Sequence, residues 1–190
     1  MRTRRDVGDH DPASITPPRI GVGTSVKSSA PCRPTTVHPA AIPSAQFNQN
    51  YQIAGAQNWS GPQYQVFASY RPQWHEQSYW RSNFGANLLL IGGGWYYWNS
   101  GYWYPAWGYD STYSYYPYDG PIYAGEQRRP FDEVVADVQA SLQEQGYYRG
   151  EVDGLMGPLT RTALADFQRD HGLVTTAALD QPTLASLGLG

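Results

Sequence analysis

Gly146-Tyr147-Tyr148-Arg149-Gly150-Glu151-Val152-Asp153-Gly154-Leu155-Met156-Gly157-Pro158-Leu159-Thr160 ends one helix, makes two glycine-assisted turns and opens another. Upstream, Phe131, Val134, Val135, Val138 and Leu142 recur at helical spacing and form an apolar stripe. Gly146 stands where a left-handed residue stops such a helix. Asp153-Gly154 is a turn pair: Asp bonds the backbone two residues on, and Gly tolerates positive φ. Pro158 suits a first helical turn, where its missing N–H has no partner to lose. Downstream, Leu159, Ala163, Leu164 and Phe167 read as one face, and Gly172 closes the second helix. Asp180, ahead of Gln181-Pro182-Thr183, reads as the N-cap of a third helix carrying Leu184 and Leu187. The pattern predicts three short helices with an ordered loop between the first two. Val138, Leu142, Val152, Leu155, Leu164, Phe167 and Leu184 are the core candidates by spacing.

The series Leu142, Gly146-Tyr147, Gly150, Asp153-Gly154, Gly157, Thr160, Ala163-Leu164, Phe167-Gln168, Gly172-Leu173, Asp180, Thr183-Leu184 and Leu187-Gly188 resembles the peptidoglycan-binding module PG_binding_1. A dozen positions agree in order and spacing over residues 126–190. Met156 stands where the family usually has Phe, a swap that an adaptable thioether accommodates. The turn Thr175-Thr176-Ala177-Ala178 lacks the Gly often found there. The resemblance implies a small all-α domain that attaches proteins to bacterial cell wall, with no catalysis or cofactor of its own. It also implies a place in the cell envelope or periplasm, with peptidoglycan, through its glycan or its stem peptide, as the partner.

Composition divides the rest. Residues 1–50 are rich in Pro, Ser, Thr and Ala and carry six basic and three acidic side chains. They lack the apolar surface needed to offset about 1–2 kcal/mol of backbone entropy per residue and are read as a disordered arm. Residues 51–125 hold all seven Trp and fourteen of the sixteen Tyr, so the aromatic chemistry of the chain is concentrated there. Residues 126–190 carry ten acidic and five basic side chains, and the whole chain has one Lys. That balance argues against a nucleic-acid partner, which wants clustered Lys and Arg.

In the aromatic segment, Trp95-Tyr96-Tyr97-Trp98 and Tyr102-Trp103-Tyr104 flank Asn99-Ser100-Gly101, a hairpin signal. Gln63-Tyr64-Gln65-Val66-Phe67 reads as a short strand. Leu88 to Trp98 is far shorter than the roughly 20 apolar residues of a spanning helix, so no membrane-spanning segment is expected. Three roles stay open for this segment: a small β unit with an aromatic core, an exposed surface stacking on sugars or partners, or low-complexity filler or a self-associating surface.

No nucleophile has a base or scaffold beside it in the sequence. Cys32 is the single cysteine, which excludes an internal disulfide and a cysteine-based zinc site. His10 and His38 have no partner at ligand spacing, and His75-Glu76 lacks a second His four residues on. The Ser-x-Gly-Cys of wall-cross-linking transpeptidases is missing. Glu126, Asp132, Glu133 and Asp137 read as acids suited to the positive end of helix one and its solvated face. No metal, no cofactor and no enzyme are expected. No export signal is legible either: Asp6, Asp9 and Asp11 interrupt the start after Arg4-Arg5, and Cys32 lacks a lipidation box.

For a wall ligand the expectation is a group beside the ordered loop. Tyr148 is expected to offer a ring face while Tyr147 anchors the loop, or the reverse. Arg149 and Arg161 supply paired hydrogen bonds to stem-peptide carboxylates. Asp153 holds the loop, and Thr160 caps or locks the turn into helix two. A scaffold protein, whose module binds another protein and whose aromatic segment self-associates, is the alternative reading.

Overall fold

Pairing two aromatic runs across a tight turn gives the centre of the molecule, which is a computed structural model describing residues 42–190. The readings at Arg4, Arg5, His10, Cys32 and His38, and of the arm up to residue 41, lie outside the described residues. Strands β1 (Leu88–Ile91), β2 (Gly94–Asn99), β3 (Tyr102–Pro105) and β4 (Ile122–Tyr123) form an antiparallel sheet in sequence order. The predicted hairpin is present. Ser100 and Gly101 take φ 49° and 88°, the two left-handed residues that a two-residue turn needs to match strand twist. Gly92-Gly93 makes the equivalent connection between β1 and β2.

Register decides what each sheet face covers. Tyr96 opposes Leu89 and Pro105, and Trp98 opposes Trp103, so these share a face; Leu88, Tyr97 and Tyr104 share the other. The first face meets the C-terminal helices: Tyr96 and Phe131 lie 4.5 Å apart ring to ring, and the Trp103 indole donates to the Arg129 carbonyl at 2.7 Å. The second face is covered by two short helices, α1 (Gln65–Ser69) and α2 (Gln77–Phe84), and the chain just after α1. There Tyr97 packs on Trp80 and Phe84, and Tyr70 stacks on Tyr104. The strand predicted at 63–67 is instead a 3₁₀ turn, Pro62–Tyr64, running into α1. Pro62 starts it, and Tyr64 and Phe67, three residues apart, are both buried on one helical side.

Helices α3 (Phe131–Glu144), α4 (Pro158–Asp170) and α5 (Gln181–Ser186) follow the predicted pattern. The stripe Phe131, Val134, Val135, Val138 and Leu142 is buried throughout. Two core expectations are corrected. Leu159 is 68% exposed, because Thr160 occupies the inward position three and four residues before Ala163 and Leu164. Val152 is 41% exposed, because its neighbours Asp153 and Gly154 turn toward α3 and point it outward.

Tyr96, Trp103 and Ile122 of the sheet belong to the same buried cluster as Phe131, Val138 and Phe167 of the helices. Residues 42–50 also touch this body: Ala45 N–H donates to the Tyr116 carbonyl at 2.6 Å and Phe47 leans on Trp107. The composition boundaries near residues 50 and 125 are therefore crossed by hydrogen bonds and core packing. Among the described residues no helix is long and apolar enough to cross a membrane.

Candidate functional site

The loop between α3 and α4 is organised around Gln139, which lies fully buried in the apolar stripe of α3. Its Oε1 accepts from the N–H groups of Asp153 at 3.0 Å and Gly154 at 2.8 Å. Its Nε2 has four oxygens in reach: Asp153 Oδ1 at 2.8 Å, Thr160 Oγ1 at 3.0 Å, the Leu155 carbonyl at 3.1 Å and Tyr148 Oη at 3.2 Å. An amide carries two hydrogens and one carbonyl, so every polar valence of Gln139 is used. Gly154 sits at φ 71°, and a β-carbon there would lie 2.6 Å from the Asp132 carbonyl. The loop can approach α3 this closely only with glycine at that point.

The four predicted ligand residues fall into two kinds. Asp153 and Tyr148 face inward. Asp153 Oδ1 accepts from the Leu155 N–H at 2.9 Å and from Gln139. Tyr148 is buried and donates to the Glu151 carbonyl at 2.7 Å, so it anchors the loop and does not offer its ring. The half-buried ring is that of Tyr147, edge-on to Phe167 at 5.5 Å. Arg149 and Arg161 face outward. Arg149 is exposed and, among the described residues, makes no hydrogen bond or ion pair. Arg161 Nε donates to the Ala177 carbonyl at 3.4 Å, and its guanidinium lies 5.1 Å above the Tyr118 ring. Arg161 and Pro158 line two clefts, of about 380 and 220 Å³; Arg149 lines neither. Thr160 Oγ1 donates to the Leu155 carbonyl at 3.0 Å, a lock on the turn into α4.

The carboxylates have structural employment. Asp132 and Glu133 occupy the first turn of α3, and Asp137 pairs with Arg129 at 2.6 Å. Burial pushes Asp132 above the ordinary carboxylate range. Asp119 is raised by burial too, against the opposing pull of Tyr51 and Arg161. Asp180 caps α5, accepting from the Thr183 N–H at 2.9 Å. Its burial raises its pKa although Thr176 and Thr183 donate to it. His171 ends α4, its Nδ1 2.9 Å from the Phe167 carbonyl and its ring stacked on Phe167. No group of three metal-ligating side chains occurs among the described residues.

Sequence reasoning missed Gln139 and the buried role of its counterpart Gln168. The signal for Gln139 was its position, four residues after Val135 and three before Leu142, a polar group inside an apolar stripe.

Residues 132–187 match the family PG_binding_1, described as a peptidoglycan binding domain. The chain is 37% identical over 73 residues to N-acetylmuramoyl-L-alanine amidase CwlM of Mycobacterium tuberculosis, covering 38% of this chain and 16% of that protein. It is 43% identical over 51 residues to Localization factor PodJL of Caulobacter vibrioides, covering 27% of this chain and 5% of that protein. The chain thus shares a module, a small fraction of either relative's length. No solved structure matches it significantly.

Proposed function

We propose that this chain is a non-catalytic, peptidoglycan-binding protein of the bacterial cell envelope. The observation that carries this reading is the family match over α3 to α5, together with a loop whose Asp153-Gly154-Leu155 turn is fixed from behind by Gln139. A turn held this way needs no backbone ordering on binding, which leaves only the exposed side chains to be ordered. Arg149 and Arg161 are the residues we assign to the wall ligand, as cations for stem-peptide carboxylates. Tyr148 and Asp153 act behind them, as anchors of the loop. The relative named a localization factor supports one alternative, a module that docks on another protein within an envelope scaffold, with self-association through the aromatic segment.

Cosedimentation of the full chain with purified, protein-free sacculi tests this. The chain should pellet with the sacculi. Arg149→Gln with Arg161→Gln should reduce the pelleted fraction several-fold while the melting temperature stays almost unmoved. No pelleting of the wild-type chain would overturn peptidoglycan binding and favour the docking alternative. Pelleting unchanged in the folded double variant would remove the two arginines from the site.

A further inference from the structure

The aromatic region exposes a second concave surface far from α3–α5 in sequence. It is a cleft of about 740 Å³, lined by Phe47, Gln49, Gln73, Trp74, His75 and Tyr79, with Pro72 beside them. That volume lies within the range of about 300–1,000 Å³ typical of small-ligand clefts. Among the described residues four aromatics are exposed, and three of them line this cleft: Trp74, at 54%, with Phe47 and Tyr79; the fourth, Tyr113, lies outside it.

These rings are exposed and yet fixed. Trp74 forms a backbone bridge to Trp107, and the adjacent His75 N–H donates to the Trp107 carbonyl at 3.1 Å. The buried Trp80 indole ties down the same strap, within 3.0 Å of the His75 carbonyl and 2.9 Å of the Trp107 carbonyl. Behind the Trp74 indole lies Gly108, at φ 83°; a β-carbon there would come within 2.5 Å of the ring. His75 and Tyr79 stack with centroids 3.6 Å apart, and Phe47 packs on Trp107. The floor and the strap hold the rings in place before anything binds.

Among the described residues no Asp, Glu, Lys or Arg lines the cleft. Its polar side-chain groups are the carboxamides of Gln49 and Gln73, the His75 imidazole, the Trp74 indole N–H and the Tyr79 hydroxyl. Fixed ring faces beside neutral amides suit a ligand with apolar C–H faces and uncharged hydroxyl and acetamido groups. A charged stem peptide or a nucleic acid finds no counter-charge here.

We propose that this cleft binds the neutral β-1,4-linked, N-acetylated sugar chain of the wall polymer, with Trp74 as the principal stacking platform. It deepens the peptidoglycan-binding reading by dividing the labour: the aromatic cleft takes glycan, and the arginines of the helical module take peptide carboxylates.

The test is titration of the full chain with the uncharged β-1,4-linked tetramer of N-acetylglucosamine and, in a second arm, with the corresponding hexamer, followed by tryptophan fluorescence and calorimetry. Both probes should bind. Trp74→Ala, and independently Tyr79→Ala, should weaken binding roughly tenfold, about the worth of one lost ring contact. Both variants should keep the wild-type circular dichroism, since both side chains are exposed. Absence of binding by the wild-type chain, or equal binding by both folded variants, would overturn the proposal. So would concentration-dependent dimerisation abolished by Trp74→Ala in a protein that binds neither probe. Pelleting with intact sacculi is read separately, so a glycan-blind cleft and a wall-blind protein give different results.

Discussion

The turns leading into α4 and α5 follow one plan with different residues. In the first, Gln139 of α3 accepts from the N–H groups of Asp153 and Gly154 and donates toward the Leu155 carbonyl and Thr160 Oγ1. In the second, Gln168 of α4 accepts from the N–H groups of Thr176 and Ala177 and donates toward the Ala178 carbonyl and Thr183 Oγ1. A local turn sits inside each: Asp153 Oδ1 accepts from Leu155 N–H, and Thr176 Oγ1 from Ala178 N–H. Each helix therefore positions the start of the next through a buried amide. The two also differ. Residues 145–157 join α3 to α4 and residues 171–180 join α4 to α5, so the first loop has three more residues to display outward. The first uses Gly154 at φ 71° where the second uses Ala177 at φ 51°. The second alone buries a carboxylate, Asp180, beside its glutamine. What this teaches is that a small helical module can hold its loops as firmly as its helices without metal or disulfide, by spending one amide per turn.

Removing an amide should have the largest effect. Gln139→Leu leaves two buried backbone N–H groups without partners, a cost of roughly 2–6 kcal/mol, read as a shift in the urea midpoint. Gln168→Leu should cost a similar amount if the plan is shared. A loss below about 1 kcal/mol in either would mean that the turn holds without its amide.

A smaller effect should separate the latches by pH. Asp180 has its folded-state pKa raised by burial, so the folded protein holds that proton more tightly than the unfolded chain. Its contribution is in full at pH below 3.8, the ordinary Asp value, and is lost as pH rises through the raised value. Asp180→Asn keeps the capping oxygen and removes the titration. It should flatten the decline in stability above pH 4 by its share, leaving those of Asp119 and Asp132. A pH profile identical to the wild type would show that Asp180 does not titrate differently on folding.

The smallest change should be a gain. Ala177 holds a left-handed conformation that costs an L-residue about 1–2 kcal/mol, against about 0.5–1 kcal/mol of extra chain entropy for glycine. Ala177→Gly should therefore raise stability by up to about 1 kcal/mol, making the second turn more like the first. A decrease in the melting temperature would show that Ala177 is not strained.

Much of this architecture was legible in one dimension. Helical periodicity with Gly146, Pro158, Gly172 and Asp180 marks the ends of α3, α4 and α5, because caps and breakers act on their own few residues. The hairpin at Ser100-Gly101 is local in the same sense. Gln63 to Phe67 misled because a five-residue apolar alternation fits a strand and one helical turn equally well. The site was less legible. Arg149 could be read as exposed, but whether Tyr147 or Tyr148 faces inward depends on Tyr148 reaching Gln139 nine residues away.

By itself, then, the sequence determined the type and limits of the C-terminal helices, the hairpin at Ser100-Gly101 and the family resemblance of residues 132–187, all of which rest on short-range stereochemistry and residue type. Only the tertiary structure decided that the sheet lays Tyr96 and Trp103 against Phe131, and that Gln139 and Gln168 are the interior latches. It alone also decided that Trp74 stands fixed in an open cleft. Each of these depends on which groups meet across tens of residues, and burial there is settled by competition among many rings and amides for the same few inward positions.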